Sequence, residues 1–309
     1  MRTVVHVTHE AVEKIGGIGA VLEGLLTSAA YNKAVDRSIL VCPLFTTEGP
    51  MQTRLGRGGE VLYSSVDGHI RNEWALKFRS VELEHNVGIV YGRRTFVNFD
   101  TGLRVSPEVI LIDLSRADSR KTNEFKAKLW EVFGIDSIRY ENSWDYEQWV
   151  KLAPSALAAI EAVGGVPQDG HCVITAHEFM GMPTALGAIA SSRPNYRTMF
   201  YAHEVATIRK IVEDHPGHDT MFYNVLRAAR RDDLFLEDVF GPQDHYFKHA
   251  LVSASKYCDN ILAVGDYVLK ELRFLGPEFE HVDIELCYNG IPASKSDMKQ
   301  RLLSKAKLQ

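Results

Sequence analysis

His177 and Glu178 stand where a short apolar run, Cys172 to Ala176, meets a turn carrying Gly181 and Pro183 and then a small-residue helix from about Thr184. The run has the β-branched character of a buried strand. Both side chains therefore fall at the carboxyl end of a strand, where ligands bind in an open parallel sheet. An imidazole there can exchange a proton or donate a hydrogen bond, and a carboxylate beside it can orient the ring. A lone histidine after a strand also serves to cap a helix or to satisfy a backbone group. Here the pattern repeats: Val4 to His9 carries His6 and His9, and Thr198 to His203 ends on another imidazole. Three strands of one sheet are expected to deliver histidines to one edge.

The strand that must position the first of them opens a βαβ unit. Thr3 to Val7 reads as strand and His9 to Lys14 as polar loop. Gly16-Gly17-Ile18-Gly19 then opens a helix through about Ala30, and Ser38 to Cys42 is the next strand. A glycine-rich turn lets backbone amides approach a phosphate at a helix N-terminus, where the dipole favours negative charge. The dinucleotide fingerprint fails because Leu22 stands where its third glycine belongs. The Walker loop fails because Lys14 precedes the glycines. A tight turn with close helix packing and a phosphate contact through Lys14, Gly16 and Gly17 both fit the spacing.

The remaining elements follow from pattern. Val61 to Tyr63, Trp74 to Phe78, Gly88 to Gly92 and Val109 to Ile112 read as short strands of an antiparallel meander appended to a parallel sheet. Phe125 to Phe133 and Tyr146 to Val163 are helical, the second with Trp149, Leu152, Leu157 and Ile160 at helical spacing. Arg197 to Tyr201, Asn260 to Val264 and Val282 to Cys287 complete the strands, and the tail to Gln309 is rich in Lys and Arg. At 309 residues and 45% apolar content the chain can bury a large core. A net charge of −5 gives no basic footprint for nucleic acid or an anionic membrane. No apolar run approaches the roughly 18 residues of a membrane span. Cys42, Cys172, Cys258 and Cys287 are widely spaced and form no C-x-x-C pair, as befits small buried hydrophobes in a reducing compartment. Met1 to Val5 enters a strand without a signal-peptide cleavage region. A soluble, cytoplasmic α/β protein with no cofactor and no metal is expected.

Several stretches, taken in order, resemble one family. T-H-E-A-V-E-K-I-G-G-I-G is similar to the Lys-x-Gly-Gly donor loop of glycogen and starch synthases. A-H-E-F-M-G resembles their His-Glu-Trp or His-Asp-Trp motif, with Phe179 in place of Trp. F-K-A-K-L-W-E-V-F-G-I, Y-A-H-E-V-A-T-I-R, M-F-Y-N-V-L and C-Y-N-G-I-P are closer to the animal and fungal glycogen synthase branch than to the bacterial one. The resemblance runs, with gaps, from about residue 4 to 292.

That resemblance implies a GT-B glycosyltransferase fold: a Rossmann-like, doubly wound, mostly parallel sheet over residues 1–292 with a β-rich insertion at about 59–113. Residues 293–309 would begin the interdomain linker, and the nucleotide-binding C-terminal domain would lie outside the sequence, in cis or as a separate chain. The implied reaction is retaining transfer of glucose from UDP-glucose or ADP-glucose to the 4-hydroxyl of an α-1,4-glucan end. Lys14, Gly16 and Gly17 would face the donor phosphates, and His177 would sit beside the transferred sugar with Glu178 orienting it. Asp145, His203, Arg209 and Asn289 would lie on the sugar and acceptor side. Tyr201 and Glu204 depart from the Thr and small residue usual around the third histidine. No two Glu stand eight positions apart, so the family's acidic pair is missing and activity would require the other half. Two other classes stay open: a non-catalytic carbohydrate-binding or regulatory module, and another GT-B enzyme such as a different sugar transferase or a nucleotide-sugar epimerase.

Overall fold

Buried on both faces, the central strands read as near-continuous apolar runs, as parallel strands covered by helices must. Val5, Val7, Ile39, Leu40, Val41, Ile174 and Ala176 are all fully buried. The computed structural model describes residues 1–98, 100–214, 218–289 and 298–307. In chain order they form β1 (Arg2–Val7), α1 (Gly17–Leu26), α2 (Ala29–Ala34), β2 (Arg37–Pro43), β3 (Gly59–Ser64), α3 (Asn72–His85) and β4 (Gly88–Arg94). The short β5 (Phe96–Val97) and β6 (Arg104–Val105) precede β7 (Glu108–Asp113), α4 (Ser119–Phe133), α5 (Trp144–Ala162), β8 (His171–His177), α6 (Glu178–Ala190) and β9 (Tyr196–Ala202). There follow α7 (Ala206–Asp214), α8 (His218–Arg231), α9 (Leu236–Phe240), α10 (Phe247–Ser253), β10 (Asn260–Ala263), α11 (Asp266–Phe274), β11 (Ile284–Leu286) and α12 (Met298–Lys307).

Nine strands make one sheet in the order β11-β10-β9-β8-β1-β2-β7-β4-β3. Every pair from β11 to β7 is parallel, and only β4 pairs antiparallel, with β7 and β3 on either side. From β1 the chain passes to β2, crosses to the far edge at β3 and works back inward through β4 to β7. It then moves to β8 on the other side of β1 and winds outward through β9, β10 and β11. This is the doubly wound α/β architecture expected from the sequence. It places a topological switch point between β1 and β8, where the loops leaving two adjacent strands diverge and open a crevice. Register puts Val5 opposite Ile174 and His177 opposite Tyr201.

In the stretch 59–113, β3, β4 and β7 pair antiparallel in turn and extend the parallel sheet at its edge, as expected, with β7 lying parallel to β2. Two local expectations are corrected. Trp74 to Phe78 lies in α3: Trp74, Phe78, Val81 and His85 recur at helical spacing, and the last three are buried. A further small antiparallel sheet is the β5–β6 pair. Helix α6 starts at Glu178 instead of Thr184 and runs through Pro183, forgoing one backbone hydrogen bond. Burial on nearly all sides, against β8, β9 and α5, overrides that local preference. In α5, Trp149 and Ile160 are buried and Leu157 packs partly buried against the core, as expected. Asn289 ends the described segment after β11, while Gly290 to Pro292 and the first part of the expected linker lie outside the described residues. No helix among the described residues is long and apolar enough to cross a membrane.

Gly181 sets how closely α6 lies on β8, since a Cβ there would stand 2.4 Å from Ala176 Cα. Gly181→Ala is expected to push the helix outward and cost about 1–3 kcal/mol of stability. Urea unfolding measures this, and an unchanged midpoint would contradict the packing described.

Candidate active site

The three histidine-bearing strands are neighbours, and their rings form a continuous hydrogen-bonded chain across the sheet edge. His203, just past β9, meets His177 through Nε2 to Nδ1 at 3.0 Å. His177 Nε2 lies 3.0 Å from His6 Nδ1, and His6 Nε2 lies 2.9 Å from the Tyr31 hydroxyl on α2. Tyr31 in turn lies 3.0 Å from Ser38 Oγ on β2. His6 and His177 are buried and His203 is partly exposed. Burial pushes the His6 and His203 pKa values down to about 4, the latter opposed by the Glu10 charge. His177 falls well below the ordinary value through burial and the neighbouring rings. All three imidazoles are therefore neutral near pH 7.

His177 was expected to reach a sugar itself. With no solvent exposure and both ring nitrogens taken by His6 and His203, it is instead the middle of the chain. The ring with a nitrogen to spare is His203, whose Nδ1 has no hydrogen bond among the described residues and is not a buried unpaired atom.

Glu178 opens α6 with φ of +58°, a left-handed conformation that costs a non-glycine residue energy and concentrates at functional sites. It does not orient His177. Its Oε1 accepts the backbone N–H groups of His203 and Glu204, so it holds the turn after β9 in place. Oε2 is buried without a partner. Burial raises the Glu178 pKa to about 8, against the opposing pull of the two amides and of Lys248. Its carboxyl group is thus largely protonated at neutral pH, and Oε2 can be a donor.

The glycine turn contains a residue that the sequence reading passed over. Glu10 Oε2 accepts from the amides of Ile15, Gly16 and Gly19 at 3.1, 2.9 and 2.9 Å. The glycines allow this approach: a Cβ on Gly16 would lie 3.1 Å from Glu10 Oε1, and one on Gly19 would lie 2.6 Å from Oε2. The anion at the N-terminus of α1 is thus the chain's own carboxylate, and the phosphate contact expected of the Gly16 amide is pre-empted. Gly17 is not among the amides that Glu10 takes, and nothing lies within 4 Å of its Cβ position. An acidic residue six positions before Gly16 was the available signal. Lys14 is exposed beside the turn, 3.4 Å from Glu23.

The other expected residues join this edge to different degrees. His9 Nε2 lies 3.4 Å from Glu10 Oε1. Asp145, in the first turn of α5, acts electrostatically on His9 and lies 3.8 Å from Lys248 Nζ. Lys248, also unforeseen, stands 4.4 Å over the Phe179 ring. Arg209 on α7 is exposed and bonds Glu204 and Glu213 at 2.7 and 3.0 Å. Asn289 is exposed beyond β11 and hydrogen-bonds none of the histidines. Among the described residues no group of three His, Cys, Asp or Glu is placed to hold a metal ion. The arrangement offers a neutral donor or acceptor at His203, a protonated acid at Glu178 and cations at its rim.

No protein-family model and no curated protein matches the sequence. Among solved structures, one described as trehalose-6-phosphate from E. coli bound with UDP-2-fluoro glucose is 11% identical, with a TM-score of 0.38, over 99% of this chain and 54% of that one. An α,α-trehalose-phosphate synthase (UDP-forming) from Burkholderia vietnamiensis is 9% identical with a TM-score of 0.34, over 91% and 42%. Another, from Burkholderia xenovorans in complex with glucose-6-phosphate, is 10% identical with a TM-score of 0.35, over 88% and 42%. The chain spans about half the length, or less, of these structures.

Two measurements test the site. The depressed histidines bind fewer protons folded than unfolded between about pH 4 and 6.5, so they make stability rise with pH there. Glu178 binds more protons folded than unfolded between 4.5 and about 8, so it makes stability fall as pH climbs through that window. With three rings against one carboxyl, stability should peak near pH 6.5, and Glu178→Gln should abolish the decline toward pH 8; urea melts across pH read both. Separately, Gly19→Ala should displace Glu10, speed hydrogen exchange at Ile15 and Gly16, and cost about 1–3 kcal/mol. Gly17→Ala should do neither, staying within about 0.5 kcal/mol of the parent.

Proposed function

We propose that the chain is the acceptor-side half of a GT-B retaining glycosyltransferase of the glycogen and starch synthase type. It would transfer glucose from UDP-glucose or ADP-glucose to the 4-hydroxyl of an α-1,4-glucan in the cytoplasm, with the nucleotide held mainly by a second domain in cis or on another chain. The observation that carries the reading is the histidine chain, which runs from β1 across the switch point to His203, in the turn after β9 that Glu178 holds. Such transfer develops positive charge on the sugar and negative charge on the departing phosphate. Fixed dipoles and nearby cations stabilise both without reorganising. In this reading His203 contacts the sugar with His177 behind it, and Lys14 and the Gly17 amide meet a donor phosphate. Asp145, Arg209 and Asn289 line the acceptor side. The reaction needs no cofactor or metal beyond the sugar donor.

One observation favours a second reading, a carbohydrate-binding module without catalysis: Glu10 already fills the amides at the start of α1.

The decisive experiment supplies labelled UDP-glucose or ADP-glucose and glycogen to this chain together with a matching nucleotide-binding half. Label in glycogen supports the enzyme. Glycogen binding without transfer favours the module, and neither binding nor transfer overturns both. If transfer occurs, His203→Ala and His177→Ala should each lower kcat about a hundredfold, roughly 3 kcal/mol, the scale of one lost preorganised donor. KM should change less, whereas Lys14→Ala should raise donor KM because its charge meets phosphate in the ground state too. An unchanged kcat in the folded histidine variants would remove the catalytic assignment.

A further inference from the structure

A neutral imidazole carries one N–H donor and one bare nitrogen acceptor. His177 uses both nitrogens on other imidazoles, and His6 uses both on His177 and Tyr31. Hydrogen bonding throughout the chain then allows only two proton arrangements. In one, His6 Nδ1–H donates to His177 Nε2, His177 Nδ1–H donates to His203 Nε2, and His203 carries its proton on Nδ1. In the other every bond is reversed: all three rings are protonated on Nε2, and His203 Nδ1 is a bare acceptor.

The far end of the chain breaks the tie. In the first arrangement Ser38 donates to the Tyr31 oxygen and Tyr31 donates to His6 Nε2. In the second, His6 donates to the phenol oxygen and Tyr31 donates to Ser38 Oγ. A hydroxyl donor bonds more strongly to a more basic acceptor, and an imidazole nitrogen is far more basic than a serine hydroxyl. Tyr31 keeps its proton to give, because burial pushes its pKa up to about 12. Part of the chain lies in low dielectric, where each hydrogen bond is electrostatically stronger and polarises the next.

We propose that Tyr31, acting through His6 and His177, fixes the proton of His203 on Nδ1, so that the ring nitrogen left for a ligand is a hydrogen-bond donor. The ligand atom it suits is an oxygen acceptor, a hydroxyl or phosphate oxygen. Tyr31, His6 and His177 are positioning residues in this scheme, and the assignment holds whatever reaction the site performs.

The test is long-range 15N–1H correlation spectroscopy on the full chain with 15N-labelled histidine at pH 7, which reports the tautomer of each ring directly. His6, His177 and His203 should all carry the proton on Nδ1, and an Nε2–H signature at any of the three overturns the proposal. Tyr31→Phe removes the donor that sets the direction. In the folded variant all three rings should then share one mixed population of the two tautomers. His203 remaining wholly Nδ1-protonated, or the three rings shifting by different amounts, overturns it. Ser38→Ala leaves the Tyr31–His6 bond in place and should keep the parent tautomers, and reversal in that variant also counts against the proposal. A purely structural role for Tyr31 would lower the melting temperature without moving the tautomers. If Tyr31→Phe fails to fold, the parent and Ser38→Ala spectra still decide.

Discussion

A buried imidazole must have both ring nitrogens satisfied by the protein, because an unpaired polar group in the interior costs on the order of 1–3 kcal/mol. His177 meets that requirement only if β1 and β9 lie on either side of β8 with their ends level. His6 then reaches one nitrogen and His203 the other. Parallel pairing supplies this alignment: His6 lies opposite Thr175 and His177 opposite Tyr201, so the rings climb diagonally across three strands. A slip of one residue in either pairing would turn a histidine to the other face of the sheet. The chain of rings is thus both a product of the register and a constraint on it.

Two carboxylates fix the loops that leave those strands, by different means. Glu10 gathers three amides at the start of α1 and so gives the glycine turn its shape. Glu178 receives two amides from the turn after β9, with one oxygen unpartnered, and burial outweighs those bonds. The strained backbone at Glu178 lets one residue end β8, begin α6 and aim its side chain at the adjacent strand's loop. Gly181, pressed against Ala176, keeps α6 close enough for that reach.

Much of this was legible in the residues. Apolar β-branched runs gave the parallel strands, and histidines repeating at three strand ends pointed to one edge of one sheet. Which histidines would meet was not legible. His9 looked equivalent to His6, yet only His6 lies within the strand, where its ring can reach His177, while His9 belongs to the loop and pairs with Glu10. Trp74 to Phe78 read as strand because aromatic residues suit both structures, and only the longer spacing through Val81 and His85 separates them. Glu10 escaped notice because glycine-rich turns invite an external anion, and sequence alone does not show that a nearby side chain has supplied one. The roles of Tyr31 and Lys248 depend on contacts between distant segments, which no local pattern encodes.

The cations around the crevice are also spoken for, and the strength of their attachments ranks the places where an anion can enter. Lys14 pairs with Glu23, Arg209 with Glu204 and Glu213, and Lys248 with Asp145. Exposed ion pairs of this kind contribute only about 0.2–1 kcal/mol, so a phosphate can replace the partner at small cost. Displacing Glu10 is a different matter: three amides would have to change acceptor at once while a buried carboxylate is left to find new donors. On the proposed reading, a donor phosphate would therefore gain more by approaching Lys14 and the Gly17 amide than by entering the cradle that Glu10 fills. The part of the glycine turn that Glu10 holds would then be a rigid shoulder beside that contact.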